Sequence, residues 1–189
     1  MRAPTISLDQ LAPLPVVYRA VIPPADEDRN HHMNMRWYLA LYDEAGDAMY
    51  PMLGLTAEYF AASGMGGFDL EHHLWYPAEV NIGDTVAIRF RFVARNAKLM
   101  HYMMFMVNET RGVVSSLFEC VHGHADLTAR RTAPFPAQVA TKIDAFIAEH
   151  RALAWPAPVS GSMGLRRTLS GSRPDARVVQ SLSGAESSP

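Results

Sequence analysis

The sequence predicts an α+β domain in which one antiparallel sheet wraps around a long central helix. Three observations carry this expectation. The residues from Met35 onward, MRWYLALYDEAGDAM, are apolar on most sides, and their polar members Arg36, Asp43, Glu44 and Asp47 fall on one narrow stripe at helical spacing. A helix of that kind belongs inside a shell of other elements. From Thr85 the pattern changes period: Val86, Ile88, Phe90, Phe92 and Ala94 alternate with Ala87, Arg89, Arg91 and Val93, as in a strand with one buried face. Finally, the order strand, long helix, short helix and four strands leaves one sheet to cover one apolar helix.

Each element follows from local signals. Residues 15–22 (PVVYRAVI) read as the first strand, stopped by Pro23 and Pro24. A polar, acidic loop runs from Asp26 to His32. Asn34 suits the N-cap of the central helix, because its short side chain can accept from an amide of the first turn. Gly46 inside that helix predicts close approach of another backbone. Residues 56–62 form a short second helix ending at Ser63-Gly64, and residues 67–76 (GFDLEHHLWY) a strand. Turn signals at Asn81–Asp84, Asn96–Lys98 and Thr110–Gly112 separate three long strands and join them as a meander. Residues 137–153 form an amphipathic helix with Val139, Ile143, Phe146 and Ile147 on one side. After Trp155 the composition turns to Ser, Gly, Pro and Arg without apolar periodicity. A single domain over 1–156 and a disordered tail over 157–189 are therefore expected. Exposed sheet edges predict pairing with further copies, as a homodimer or homotetramer.

Bulk composition narrows the function. The 189 residues and an apolar fraction of 49% suit one globular domain with a buried core. Seventeen basic against nineteen acidic residues leave a formal charge of −2, so neither a nucleic-acid nor an anionic-membrane footprint is expected. No run approaches the ~18 apolar residues of a membrane span. The first residues, MRAPTISLDQ, lack the apolar core of a secretory signal. Cys120 is the only cysteine and lies in an apolar run, which predicts an inert core thiol and a cytoplasmic, reducing location. Eight histidines invite a metal reading, but no spacing matches a zinc signature, so no metal is expected.

The chemistry concentrates in the loop DRNHHMN. It sets a carboxylate, an amide and an imidazole at alternate positions, Asp28, Asn30 and His32, and ends at Asn34 where the central helix begins. Amide N–H groups at a helix start lack intrahelical partners and carry partial positive charge, which suits a developing oxyanion. A neighbouring carboxylate can serve as general base or nucleophile. The same residue types also serve as ordinary loop and capping groups. Trp37, Tyr38, Trp75 and Tyr76 supply aromatic faces that either pack in the core or meet a cationic acyl group. Glu71 and His73 share one strand face, either lining the pocket or exposed to solvent. Arg89, Arg91, Arg95 and Lys98 offer cations either to phosphates or to a solvated sheet edge.

The run Asp28-x-Asn30-x-His32-Met33-Asn34 followed by Tyr38 resembles the segment that opens the central helix of hot-dog-fold thioesterases. It is similar to the D-x-N-x-H segment of plant acyl-carrier-protein thioesterases and to the aspartate loop of 4-hydroxybenzoyl-CoA thioesterase-like proteins. The likeness is strongest to bacterial thioesterases associated with carnitine catabolism, for which betainyl-CoA is the supposed substrate. It extends to LEHHLWY (residues 70–76), APFPAQV (residues 133–139) and Gly164-Leu165-Arg166, and covers roughly residues 15–166. The resemblance implies a hot-dog fold, an acyl-CoA substrate and no cofactor beyond the coenzyme A of that substrate. It makes Asp28 the catalytic carboxylate, with His32 and Asn30 positioning the reactants, and Asn34, Trp37, Tyr38, Glu71 and His73 lining the substrate site. His31 stands where such motifs commonly carry Gly, and Met35 where they often carry Asn or Asp. A hot-dog enoyl-CoA hydratase or dehydratase and a non-catalytic acyl-CoA-binding module are the alternative functions compatible with the same residues.

Overall fold

The computed structural model describes residues 3–165. Its elements are α1 (Leu8–Leu11), β1 (Val16–Val21), α2 (Met35–Leu53), α3 (Ala57–Ser63), β2 (Met65–Trp75), β3 (Thr85–Arg95), β4 (Leu99–Asn108), β5 (Val113–Asp126), β6 (Arg131–Thr132) and α4 (Ala137–Arg151). The strands form one antiparallel sheet in the order β1-β3-β4-β5-β2, with the short β6 pairing to β5. The curled sheet packed on α2 is the hot-dog arrangement. The expected meander β3-β4-β5 is present, and β1 and β2 flank it as the two edges.

Local chemistry sets the bounds of α2. The Asn34 side chain accepts from the Arg36 N–H at 3.1 Å, and the helix ends at Gly54, whose φ of 85° admits no side chain without strain. Tyr38, Tyr42, Ala45, Met49 and Leu53 recur every three or four residues and bury one stripe against the inner face of the sheet. There the stripe joins Phe90, Phe92, Met104 and Phe118, all at most 2% exposed. The opposite side of α2 is open, with Met35 at 70% and Leu39 at 44% exposure. The helix is therefore sheathed on one side and presents apolar residues on the other.

Three expectations are corrected here. The strand over residues 85–95 is covered on both faces, not one. Ala87 and Arg91 on its outer face are buried, and the segments before β1 and after α4 pack on that face: Leu11 and Leu14 from the first, Leu153, Trp155 and Ala157 from the second. Arg91 donates to the carbonyls of His150 and Trp155 at 2.9 Å and stacks on the Trp155 ring at 4.1 Å. Part of the expected tail is thus a packed strap, whose Ser160 N–H donates to Glu119 at 2.7 Å. Residues 166–189 lie outside the described part of the chain. Gly46 meets no backbone either, since a Cβ built there finds nothing within 4 Å.

The strap and α4 fix a titratable group. His150 is 2% exposed, and its Nδ1 accepts from the Phe92 N–H at 2.8 Å, which requires a neutral ring. Burial, with the neighbouring Arg91 guanidinium, lowers its pKa to about 4. Unfolded His150 titrates near its ordinary value of about 6.5, so between these values only the unfolded chain binds the proton. Stability contributed by the neutral ring is full above that window and falls on acidification, by up to about 3 kcal/mol at its acid end. Thermal melts between pH 7 and pH 4.5 are expected to show this loss, and His150→Gln, a neutral acceptor, to flatten it. Equal slopes for both proteins would contradict the assignment.

Candidate active site

The loop before α2 folds around Asp28. The Asp28 N–H donates to the His32 carbonyl at 2.9 Å and the His31 N–H to the Asp28 carbonyl at 3.0 Å. The carboxylate accepts the Asn30 N–H through Oδ1 at 2.7 Å, and the same oxygen lies 3.5 Å from His32 Nδ1. Both contacts use Oδ1 and leave Oδ2 unengaged among the described residues. The Asp28 side chain is 16% exposed, and with His32, Met35, Tyr38, Tyr76 and Glu79 it lines an open cavity of about 350 Å³ beside the start of α2. The segment after β2 closes the other side: Val80 donates its N–H to the Tyr38 hydroxyl at 3.1 Å and accepts from the Met33 N–H at 2.8 Å. Tyr38 and Tyr76 meet edge to face, with ring centres 5.0 Å apart.

This tight loop explains one departure from the motif. His31 has φ 63°, in the left-handed region where Gly carries no Cβ penalty. Its side chain points to solvent, 3.3 Å from the Glu27 carboxylate, and is absent from the cavity lining. His31→Gly is therefore expected to keep turnover and hold the melting temperature, with any change under about 1 kcal/mol. His31→Val, branched at Cβ, is expected to destabilise by about 1–2 kcal/mol. A valine variant as stable as wild type would contradict this.

The other expected site residues divide. Asp28, His32 and Tyr38 converge on the cavity. Asn30 is exposed and reaches Asp28 through its backbone N–H. Asn34 acts as the helix cap, with its side-chain oxygen on Arg36 N–H. Trp37 packs against the main core, and the Arg36 guanidinium lies 4.8 Å above its ring. Glu71 and His73 do not line the cavity. The β2–β5 register slips between Asp69 and Glu71, and this bulge at Leu70 inverts the alternation beyond it. His73 consequently stacks on Trp75, in the outer-face cluster, at 4.1 Å. The arginines of the β3–β4 region are committed elsewhere: Arg89 to the carbonyls of Leu11, Ala12 and Leu14, and Arg95 to Asp144.

The same bulge turns Asp69 and His72 inward, toward α2. His122 Nδ1 lies 2.5 Å and His72 Nε2 2.8 Å from the Asp69 carboxylate, and the Tyr50 hydroxyl lies 3.3 Å from His122 Nε2. The same hydroxyl lies 3.4 Å from His122 Nδ1, so Tyr50 and Asp69 both meet this ring. Burial pushes the Asp69 carboxyl up, but the bonds from the two imidazoles outweigh it and hold the group below the usual carboxylate range. Burial raises the hydroxyl of Tyr50 and the thiol of Cys120, so both stay protonated. Gly67 admits this packing, since a Cβ there would come within 2.6 Å of the His122 ring. Asp69, His72 and Cys120 bring ligand atoms within 4.8 Å of one another and are the residues that could hold a metal ion. Sequence spacing concealed the group because long-range pairing assembles it, Asp69 opposite His122 and His72 opposite Cys120.

Known proteins resemble this chain over most of its length. A family model described as "Thioesterase-like superfamily" matches residues 22–143. A betainyl-CoA thioesterase of Pseudomonas aeruginosa is 31% identical over 148 residues, which is 78% of this chain and 93% of that protein. An L-carnitine dehydrogenase/betainyl-CoA thioesterase of Rhizobium meliloti is 27% identical over 165 residues, 87% of this chain and a third (33%) of that longer protein. A Staphylococcus aureus protein solved in complex with CoA superposes with a TM-score of 0.71 at 19% identity, over 81% of this chain and 97% of that one.

Proposed function

The chain belongs to the thioesterase-like superfamily and is an acyl-CoA thioesterase, and from this premise we propose that Asp28 carries the hydrolysis. The observation that supports the assignment is the Asp28 carboxylate itself: it lines the cavity at the start of α2, with one oxygen held by the Asn30 N–H and the other unengaged among the described residues. The thioester carbonyl binds with its oxygen toward the start of α2, whose partial positive charge stabilises the oxyanion as it forms. Asp28 Oδ2 takes a proton from water while the water oxygen bonds to the carbonyl carbon. The carbon–sulfur bond then breaks, and the proton passes to the departing CoA thiolate. His32 supports the loop that holds the carboxylate, and Tyr38 with Tyr76 forms an aromatic wall for the acyl group or pantetheine arm. The reaction in this form needs no cofactor and no metal.

The betainyl group is the acyl group we favour, supported by the P. aeruginosa relative. We also read the protein as a cytoplasmic homodimer or homotetramer. Supporting this, β2 is an unpaired edge carrying Phe68 and Leu70 at 66% and 46% exposure, and α2 leaves Met35 and Leu39 uncovered. No helix among the described residues is long and apolar enough to cross a membrane. Release of free thiol from betainyl, short-chain, long-chain and aromatic acyl-CoAs tests the reading. Turnover concentrated on betainyl-CoA is expected, and preference for another ester would reassign the acyl group.

A further inference from the structure

The bulge at Leu70 puts Asp69 and His72 on the inner side of β2, and the β2–β5 ladder sets His72 opposite Cys120. Each of the three side chains offers one ligand atom, and the three atoms lie within 4.8 Å of one another. We propose that Asp69, His72 and Cys120 bind a zinc ion, with the fourth coordination position open to a cavity along α2.

The donors fit that ion in spacing, type and charge. Tetrahedral zinc, with bonds of about 2.0–2.3 Å, sets its ligand atoms about 3.3–3.8 Å apart. His72 Nε2 and Asp69 Oδ2 stand 2.8 Å apart, so they separate slightly while the sulfur closes in. Thiolate and imidazole favour zinc over magnesium or calcium, which take oxygen ligands. Burial keeps the Cys120 thiol protonated in the metal-free chain, so binding releases that proton to solvent. The thiolate and the Asp69 carboxylate then balance the two charges of the ion. His122 supplies an outer layer: its Nδ1 lies 2.5 Å from the other Asp69 oxygen and fixes the orientation of the carboxylate.

The site also has an entrance. A cavity of about 370 Å³ along α2 carries Asp69 and His72 in its wall, and their side chains are 34% and 26% exposed. Cys120 is buried behind them. Asp43 and Asp47 line the same cavity from α2, and Arg36, the sole lysine or arginine on the lining, lies over the Trp37 ring. The field in this cavity therefore draws cations inward. It shares no lining residue with the Asp28 cavity, so metal binding and ester hydrolysis are separate properties of the chain.

The test strips the full chain with EDTA, dialyses it free of metal and titrates it with cobalt(II), which takes zinc's place and reports its ligands by absorption. Wild type is expected to bind one cobalt per chain, to show the near-ultraviolet charge-transfer band of a thiolate ligand, and to lose that band when zinc is added. Cys120→Ser is expected to lack the band. His72→Gln, at a partly exposed position, is expected to weaken zinc binding by roughly a hundredfold, and His122→Gln by roughly tenfold. Because the ion joins β2 to β5, zinc is expected to raise the melting temperature of wild type and not of His72→Gln. A wild type without the charge-transfer band, or zinc affinity unchanged in His72→Gln, would overturn the proposal. Metal and not turnover is read, so either failure leaves the role of Asp28 untouched.

Discussion

Asp28→Asn is expected to lower kcat for thioester hydrolysis by about 10²–10⁴-fold while leaving the fold and the affinity for substrate close to wild type. The amide keeps the shape of the carboxylate, and its oxygen can still accept the Asn30 N–H that now holds the loop at 2.7 Å. What it loses is the ability to take a proton from water at the carbonyl carbon. Of the neighbouring groups, His32 is turned to the loop backbone and Glu79 stands across the cavity. His32 sits 3.5 Å from Asp28 Oδ1 and nearer, at 3.3 Å, to the Met33 carbonyl, so its Nδ1 is directed at the loop backbone. Glu79 lines the cavity from the opposite segment, after β2. A residual rate well above the uncatalysed one is still expected, because the partial positive charge at the start of α2 remains. Circular dichroism and a thermal melt that match wild type would confine the effect to chemistry. Near-normal kcat in a folded variant would remove Asp28 from the mechanism.

The second large effect concerns stability. On the outer face of the sheet Glu119 is fully buried, and its partner His101 is 6% exposed. The two meet at 2.8 Å, and the other Glu119 oxygen accepts from Ser160 in the terminal strap. Burial pushes the Glu119 carboxyl up, but the bonds from His101 and Ser160 outweigh it and leave the group below its ordinary value. His101→Leu removes the main partner and leaves a buried carboxylate half satisfied, so a loss of about 3–5 kcal/mol is expected in chemical denaturation. The double variant His101→Leu/Glu119→Leu removes both charges and should recover most of that loss. A single variant within about 1 kcal/mol of wild type would show that the pair is not what ties the strap to the sheet.

The parts of this architecture that were legible in the sequence are those encoded over short stretches. The N-cap at Asn34 and the apolar stripe of α2 each occupy a few turns or a few residues, and the structure shows both, whereas the expected one-sided burial of β3 gives way to cover on both faces. The Asp28 loop was legible for the same reason, since the bonds made by Asp28 itself span at most four residues. Features that depend on distant pairing were not. A one-residue bulge at Leu70 exchanges the faces of β2 and moves Glu71 and His73 outward while bringing Asp69 and His72 in. No periodicity within GFDLEHHLWY announces it. Arg91 looked like a solvent-facing residue of a half-buried strand, yet the segments before β1 and after α4 cover that face. Gly46 was legible as an exception in a helix, but the close backbone approach it suggested is absent, since a Cβ there meets nothing within 4 Å.

The claim that this fold is a thioesterase working through Asp28 is tested most directly by a single-turnover experiment. Wild type and Asp28→Asn, each in excess over betainyl-CoA, are mixed with the ester and free thiol is followed in time. With enzyme in excess the trace reports the chemical step and not product release. One equivalent of thiol from wild type, and a rate about 10²–10⁴-fold lower from a variant that still binds the ester, is the predicted result. Superimposable traces from the two proteins would contradict it.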